Sequence, residues 1–391
     1  MTKVTRTGAH LYVFTDQLAS ELLTKSILLL SLLYNAGVRT WDVIIIGGGI
    51  IGLSLAIELH KRDEKVLVVE RGAPGREASS AAGGMLVDCP LETHAALQPL
   101  ATASARMYPE FAHELEVESG TKVDLRDHGT IVFSPEVSAH KRSGFALENL
   151  LPSRLAELEP ALAETNLPAF YLKERSVDPK GLTAAAIKAA KNRGVDFSSG
   201  DLVTAVNVSG GRATGVTTTK TSFLAPRVVN CAGAWSGQIG PHPFPTRPVK
   251  GHMLCLVSPH RDLLKHVIRT PAVYLIPRSD GRIVVGTTVE EAGFDKHTEV
   301  ATIQRLRRAA IALVPELRNA KILEDWTGLR PGTPDALPIL GGTATPGYYV
   351  ATGHFRDGIL LAPITAKVMA DVIGGIGTEY DLKPFSPARF D

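Results

Sequence analysis

The chain has 391 residues, of which 44% are hydrophobic and 21% charged, with 42 Lys and Arg against 40 Asp and Glu. That length exceeds what one core usually serves, so two domains are expected, and the even charge balance offers no footprint for nucleic acid or an anionic membrane. Three widely spaced cysteines, Cys89, Cys231 and Cys255, make neither a disulfide framework nor a metal cluster, so no metal is expected and a reducing cytoplasm fits best.

Residues 1–40 stand outside the pattern that follows. Ser26 to Tyr34 (SILLLSLLY) is apolar but too short to cross a bilayer, which takes about 20 residues, and Asp16 and Glu21 stand where an export signal would be basic. The segment reads first as a non-native upstream extension, then as an amphipathic helix on the body or a membrane, and last as an export signal.

From Trp41 to Arg71 the sequence holds a complete strand, glycine turn, helix and second strand. Val43 to Ile46 is a short β-branched run suited to a strand buried on both faces of a parallel sheet. Gly47, Gly49 and Gly52 follow in G-x-G-x-x-G spacing, the helix ends near Asp63, and Val66 to Val69 makes the next strand, closed by Glu70. Gly47 makes the tight turn, Gly49 lets backbone approach a pyrophosphate, and Gly52 lets helix and strand pack closely. Phosphates then sit on the helix N-terminus. A carboxylate at Glu70 facing the ribose disfavours a 2′-phosphate, which leaves NAD and FAD open.

Glu77 to Leu86 (EASSAAGGML) is a run of small residues, suited either to lying against a flat ring system or to a surface loop. Ala95 to Glu118 reads as one or two helices with Pro109 as a break, and Val123 to Phe133 as short strands. Leu151 to Leu162 has a helical pattern, Ala169 to Leu172 that of a strand, and Ser176 to Pro179 leads into a helix over Gly181 to Asn192. Val195 to Val208 and Gly215 to Thr219 alternate like paired strands around Gly210 and Gly211, and Arg227 to Ser236 is a buried strand opening into small residues. Pro248 to Thr288 is predominantly β, with Val273 to Pro277 and Arg282 to Thr287 joined by the turn at Ser279, Asp280 and Gly281. Thr298 to Leu313 is a helix, and Arg305, Arg307 and Arg308 fit its solvated face. The α/β pattern returns at Tyr348 to Thr352, followed by GHFRDG and a helix over Ile359 to Ile373. The fold expected is therefore α/β (α+β overall), a Rossmann-like nucleotide domain with an inserted, mainly antiparallel β-sheet substrate domain. Its boundaries are an N-terminal extension over 1–40, nucleotide-domain parts at 41–120, 172–243 and 326–391, and substrate-domain parts at 121–171 and 244–325.

Four stretches go beyond generic architecture: the anchor ending in Glu70 and Arg71, the loop EASSAAGGML, GLRPGTPDALPILG at Gly328 to Gly341, and GHFRDGILLAP at Gly353 to Pro363. In that order they resemble the D-amino-acid oxidase superfamily of FAD enzymes, and most closely its glycine oxidase branch. The resemblance implies FAD bound in extended form. Gly47, Gly49, Gly52, Glu70 and Arg71 would hold its ADP half, with Val203 meeting the adenine through its backbone. Ser79, Ser80, Ala82, Gly83, Gly84 and Met85 would run beside the flavin, and His354, Phe355, Arg356, Asp357, Gly358 and Ile359 would bracket it. The start of the last helix would aim its positive end at the reduced flavin. Arg330 would clamp an amino-acid carboxylate through two parallel hydrogen bonds, which lysine cannot reproduce, and Tyr274 would share that carboxylate. The plainer readings are a surface pair of Arg330 with Asp335 and a half-buried sheet position for Tyr274.

Two departures from the resembled pattern stand out. Gly83 replaces a frequent alanine, implying a roomier pocket, and Asp357 replaces a common asparagine, placing negative charge near the flavin unless His354 neutralises it or it turns to solvent. No cysteine lies near Gly328, where covalent-flavin relatives carry one, so non-covalent FAD is expected. The activity implied is oxidation of glycine, sarcosine or a small D-amino acid by hydride transfer to the flavin, giving a 2-oxo acid and hydrogen peroxide. Its partners are the small amino acid and dioxygen, without nucleic acid or membrane; a homo-oligomer stays open. Alternatives are a dehydrogenase of the same fold passing electrons to a quinone, a flavin domain acting on modified tRNA bases, and a non-catalytic flavin scaffold.

Overall fold

The computed structural model describes residues 40–90, 92–134, 148–258 and 260–390, and Asp42–Asp391 forms one compact unit. The apolar run Ser26 to Tyr34 lies outside the described residues.

The first sheet has the spatial order β19 (Ile339–Gly342), β20 (Tyr348–Thr352), β13 (Arg227–Asn230), β1 (Val43–Ile46), β2 (Val66–Glu70) and β9 (Asp196–Ser199). All pairings are parallel except β19 with β20. Every residue of β1 and β2 is buried, as unbroken β-branched runs require when both faces are covered. One face packs on a helical layer: α1 (Ile50–His60), α3 (Gln98–Ser119), α5 (Pro179–Arg193) and α7 (Gly358–Ile373) share a core with Val43, Ile45, Val66 and Val68. The short helix α2 (Ala78–Ala81) follows β2.

Pro109 does not break α3, which runs through it as one 22-residue helix. A mid-helix proline orphans the carbonyl four residues earlier, and here that carbonyl, Ala105, accepts from the Arg175 guanidinium at 3.2 Å. Pro363 in α7 is accommodated the same way. The Ile359 carbonyl it orphans accepts from the buried Tyr108 hydroxyl at 2.9 Å.

The second sheet has the order β18 (Lys321–Gly332), β14 (Arg247–Val257), β17 (Arg282–Gly286), β16 (Tyr274–Pro277), β15 (Val267–Arg269), β5 (Thr130–Phe133), β7 (Ala169–Leu172) and β6 (Glu148–Leu150). It is antiparallel apart from β15 beside β5. Its two faces are separated by the period of two. Leu254, Leu256, Leu275, Ile283 and Val285 pack on α6 (Val300–Leu313), whereas Met253, Cys255, Ile276 and Val284 gather with Met85 and Tyr274 on the other side. Two smaller antiparallel sheets complete the unit: β10 (Val203–Ser209), β11 (Arg212–Thr218) and β12 (Ser222–Leu224); and β3 (Met85–Leu86), β8 (Arg175–Val177) and β4 (Leu125–Arg126).

Two further element readings differ from the structure. The run Val195 to Val208 is two strands in different sheets, divided where Gly200 turns left-handed (φ +62°) and the buried Asp201 side chain accepts from Ser198 Oγ. The helix expected over Leu151 to Leu162 is limited to α4 (Pro152–Leu158). Strand β18 crosses residue 325, where the sequence reading places a domain boundary, and carries the second sheet on to Gly332.

Candidate active site

A cavity of about 480 Å³ lies at the C-terminal ends of β1, β2, β13 and β20, and the glycine turn forms one wall. Gly47 has φ +105°, and a Cβ there would sit 2.5 Å from the Cys231 carbonyl oxygen, so only glycine fits the turn. At Gly52 a Cβ would fall 2.1 Å from the Gly47 carbonyl oxygen. Gly49 caps α1 without a side-chain bond, and the Ile50 N–H at that N-terminus donates to Ser79 Oγ at 2.9 Å. The buried Glu70 carboxylate accepts from the N–H of Gly48 at 2.8 Å and of Gly72 at 2.9 Å. It thereby fixes the turn, and each oxygen keeps a lone pair for a ribose hydroxyl. Arg71 lies flat on Trp235 at 3.4 Å and bonds Glu77 at 2.7 Å. Phe294 also stacks on Trp235 at 5.1 Å, and Lys296 Nζ reaches Glu77 at 2.9 Å.

Val203 lines the same cavity, as do His354, Phe355, Gly358 and Ile359 where α7 begins. Phe355 has a left-handed backbone (φ +46°) and donates its N–H to the Pro331 carbonyl at 3.0 Å. Burial drives the His354 pKa down to about 3, with Nε2 3.1 Å from Thr365 Oγ1. His354 is therefore neutral and supplies no charge to neutralise Asp357. Desolvation pushes the Asp357 carboxyl up to about 6, against the pull of Arg356.

The other residues expected at the cofactor do not line this cavity. Gly52 is spent on packing, Ser80 Oγ turns back to the Glu77 carbonyl at 3.3 Å, and Arg356 is exposed. Ala82, Gly83, Gly84, Met85 and Asp357 are likewise absent from the cavity lining. Gly83 faces the second sheet, where a Cβ would lie 2.9 Å from Ile276 Cδ1 and 3.2 Å from the Tyr274 hydroxyl. The room expected from this glycine is thus taken up by Tyr274 and Ile276.

On that sheet Arg330 and Tyr274, neither of which lines the cavity, meet over a floor of glycines. A Cβ at Gly251 would strike Arg330 Nη1 at 2.3 Å, and one at Gly286 the Tyr274 ring at 2.7 Å. Cross-strand register puts Val249 opposite Arg330, and Met253 and Tyr274 both opposite Gly286. Arg330 Nη2 donates to Thr287 Oγ1 at 2.8 Å and Nη1 to the Thr288 carbonyl at 3.2 Å. Among the described residues no carboxylate is paired with it. Asp335, its partner in the plainer reading, is held by Arg389 at 2.8 Å. Burial lowers the Arg330 pKa and raises that of Tyr274, with the arginine's charge opposing the rise. The Tyr274 hydroxyl reaches Met253 Sδ at 3.4 Å. Leu329 and Pro331, on either side of Arg330, line the large cavity, so the glycine floor adjoins it.

The family described as FAD dependent oxidoreductase matches residues 42–372. The chain belongs to that family. This FAD-dependent oxidoreductase is 35% identical over 364 residues to the bifunctional protein ThiO/ThiG of Trichormus variabilis, covering 90% of this chain and 55% of that protein. The chain thus spans about half the length of such bifunctional relatives. It is 33% identical to the glycine oxidase of Geobacillus kaustophilus, covering 89% of this chain and 97% of that one. The crystal structure of glycine oxidase from that organism superposes with a TM-score of 0.86, at 32% identity, over 90% of this chain and 99% of the other. It is also 31% identical to the hydrogen cyanide synthase subunit HcnC of Pseudomonas aeruginosa, covering 90% and 97% of the two chains.

The residues present fit FAD. A turn with no room for Cβ atoms, a carboxylate at the end of β2, and two helix N-termini opening on one cavity give a dinucleotide both its anion and its ribose contacts. Sequence reasoning did not find Thr287 and Thr288, which hold Arg330, or His252 behind them. The His252 N–H donates to Thr288 Oγ1 at 2.9 Å, and its carbonyl accepts from Thr287 Oγ1 at 3.1 Å. Its Nε2 accepts from the Glu299 N–H at 3.1 Å, which leaves the ring proton on Nδ1 facing Glu290 at 3.0 Å. Two threonines after a strand carry no motif; only the register of β14 against β17 reveals them. Trp235 was legible only as part of a small-residue opening.

Proposed function

We propose that the protein oxidises the carbon–nitrogen bond of a small amino acid, glycine or a close analogue such as sarcosine or a small D-amino acid. Water converts the resulting imine to a 2-oxo acid and ammonia or an amine, and dioxygen takes the two electrons to give hydrogen peroxide. The observation that carries this reading is the unpaired, half-buried Arg330 guanidinium beside Tyr274 over the Gly251 and Gly286 floor.

A guanidinium held by a hydroxyl and a carbonyl, with no carboxylate of its own, keeps its charge for a carboxylate brought by a ligand. Thr287 and Thr288 fix its plane, and Tyr274 offers a hydroxyl beside it. Bound FAD supplies the hydride acceptor and the reaction with dioxygen. No side-chain base is assigned, because the free amine's lone pair assists departure of the α-hydrogen; the protein's part is orientation, electrostatics and exclusion of water. Retention of FAD is non-covalent in this reading. Cys231, which lines the cavity, is buried and its thiol pKa is driven upward, making it a poor nucleophile.

The test is anaerobic mixing of the FAD-loaded protein with glycine, sarcosine and small D-amino acids, followed by admission of air. Bleaching, then recovery with peroxide in step with 2-oxo acid, is the expected result. Recovery only with quinones or dyes would make the protein a dehydrogenase, and absence of bleaching with every compound would overturn the substrate class.

A further inference from the structure

Arg278 directly follows β16 and is only 2% exposed. Among the described residues no carboxylate is paired with it. Asp178 and Asp124 act on its charge from beyond ion-pair distance, Asp178 being bonded by Arg282 at 2.8 Å and Asp124 by Ser279. Arg278 Nη1 donates to the Val177 carbonyl at 2.9 Å and Nη2 to the Gly83 carbonyl at 2.7 Å, while Nε has no partner. A buried guanidinium without an ion pair is costly, so its position needs a reason.

Its two acceptors flank one feature. The Val177 N–H donates to the Gly84 carbonyl at 2.8 Å, and Gly84 (φ +80°) lies so close that a Cβ would be 2.0 Å from the Val177 oxygen. The turn is therefore pinned to β8 on one side and presses on Tyr274 and Ile276 on the other. We infer that Arg278 is a positioning residue that clamps the Gly83–Gly84 turn against Tyr274 and so limits the space beside Tyr274 at the proposed substrate site. This rests on reading Arg330 and Tyr274 as the substrate site. Without the two-pronged grip the turn stays tied at its ends, by the Trp326 bond to the Ala81 carbonyl, the Val177 to Gly84 bond and the β3–β8 pairing, but Gly83 itself is released and draws back from Tyr274, admitting a bulkier α-substituent.

Arg278→Lys keeps the charge but not the planar fork, and Arg278→Met keeps neither. Both are compared with the unaltered FAD-loaded protein by hydrogen exchange and by kcat/KM for glycine, D-alanine and D-valine. Exchange at the Val177 amide should rise about tenfold or more with protection in α5 and α7 unchanged, and the ratio of D-valine to glycine kcat/KM should rise several-fold. Unchanged exchange at Val177, an unchanged ratio, or protection lost throughout α5 and α7 in both variants would overturn the clamp. If the unaltered protein oxidises none of the three amino acids, the proposed activity fails, and the Val177 amide alone decides the clamp.

Discussion

Arg330 is held in place by a hydroxyl and a carbonyl, so replacing it should separate charge from shape. Arg330→Lys keeps the charge and loses the fork, and should weaken substrate binding by about 2 kcal/mol or more while also slowing flavin bleaching. Tyr274→Phe removes one neutral hydrogen bond and should cost on the order of 1 kcal/mol. Rapid-mixing spectroscopy measures both, and near-normal bleaching kinetics in Arg330→Lys would move the carboxylate site elsewhere. Asp357 gives a second test. Its carboxyl, raised to about 6 by desolvation, binds its proton more tightly folded than unfolded. This group's contribution to stability should therefore fall as pH rises from about 4 to about 6 and stay lower above that. Asp357→Asn should melt higher than the unaltered protein at pH 7 and equally near pH 3.5, both carrying the same cofactor load; equal melting at pH 7 would sink the assignment. Arg330 could be singled out because the stretch GLRPGTPDALPILG surrounds it, and Tyr274 only through the family resemblance. Thr287, His252 and Arg278 could not, because their bonds join segments far apart in sequence and no motif marks them.

At the scale of elements, the anchor was readable almost to the residue. A buried β-branched run, a glycine turn and an apolar helix leave little choice. Proline misled, because Pro109 was weighed without the side chain that repairs its missing bond. The repair in α7 is testable. Tyr108→Phe leaves the Ile359 carbonyl without a partner in a dry core and should cost about 1–3 kcal/mol in denaturant unfolding. In a Pro363→Ala background the restored N–H can serve that carbonyl, so the same change should cost distinctly less. Equal costs in both backgrounds would disprove the repair. Strand β18 was hidden for another reason. Its first three residues, Lys321 to Leu323, are exposed and show no alternation to read.

For the molecule as a whole, two sheets of different construction were foreseeable from the change between buried runs and alternating strands. Their junction was not, because β18 pairs along its length with β14 and carries the second sheet through a motif that composition assigns to the nucleotide domain. Acid precipitation should release FAD into the supernatant and leave a colourless pellet; colour retained by the pellet would show a covalent bond.

The contacts of Phe294 and Lys296 bear on how long the cofactor stays. Both residues lie on the segment that leaves the second sheet after β17, yet they grip Trp235 and Glu77, which line the cavity of the first. Residence time is then a property of two sheets rather than one, and a ligand can bind tightly through its own contacts and still exchange at a rate set by this outer latch. Lys296→Ala should shorten the FAD dissociation half-life several-fold in low salt, and the difference should shrink as salt screens the exposed pair. Half-lives that coincide at every ionic strength would place the barrier to exchange elsewhere.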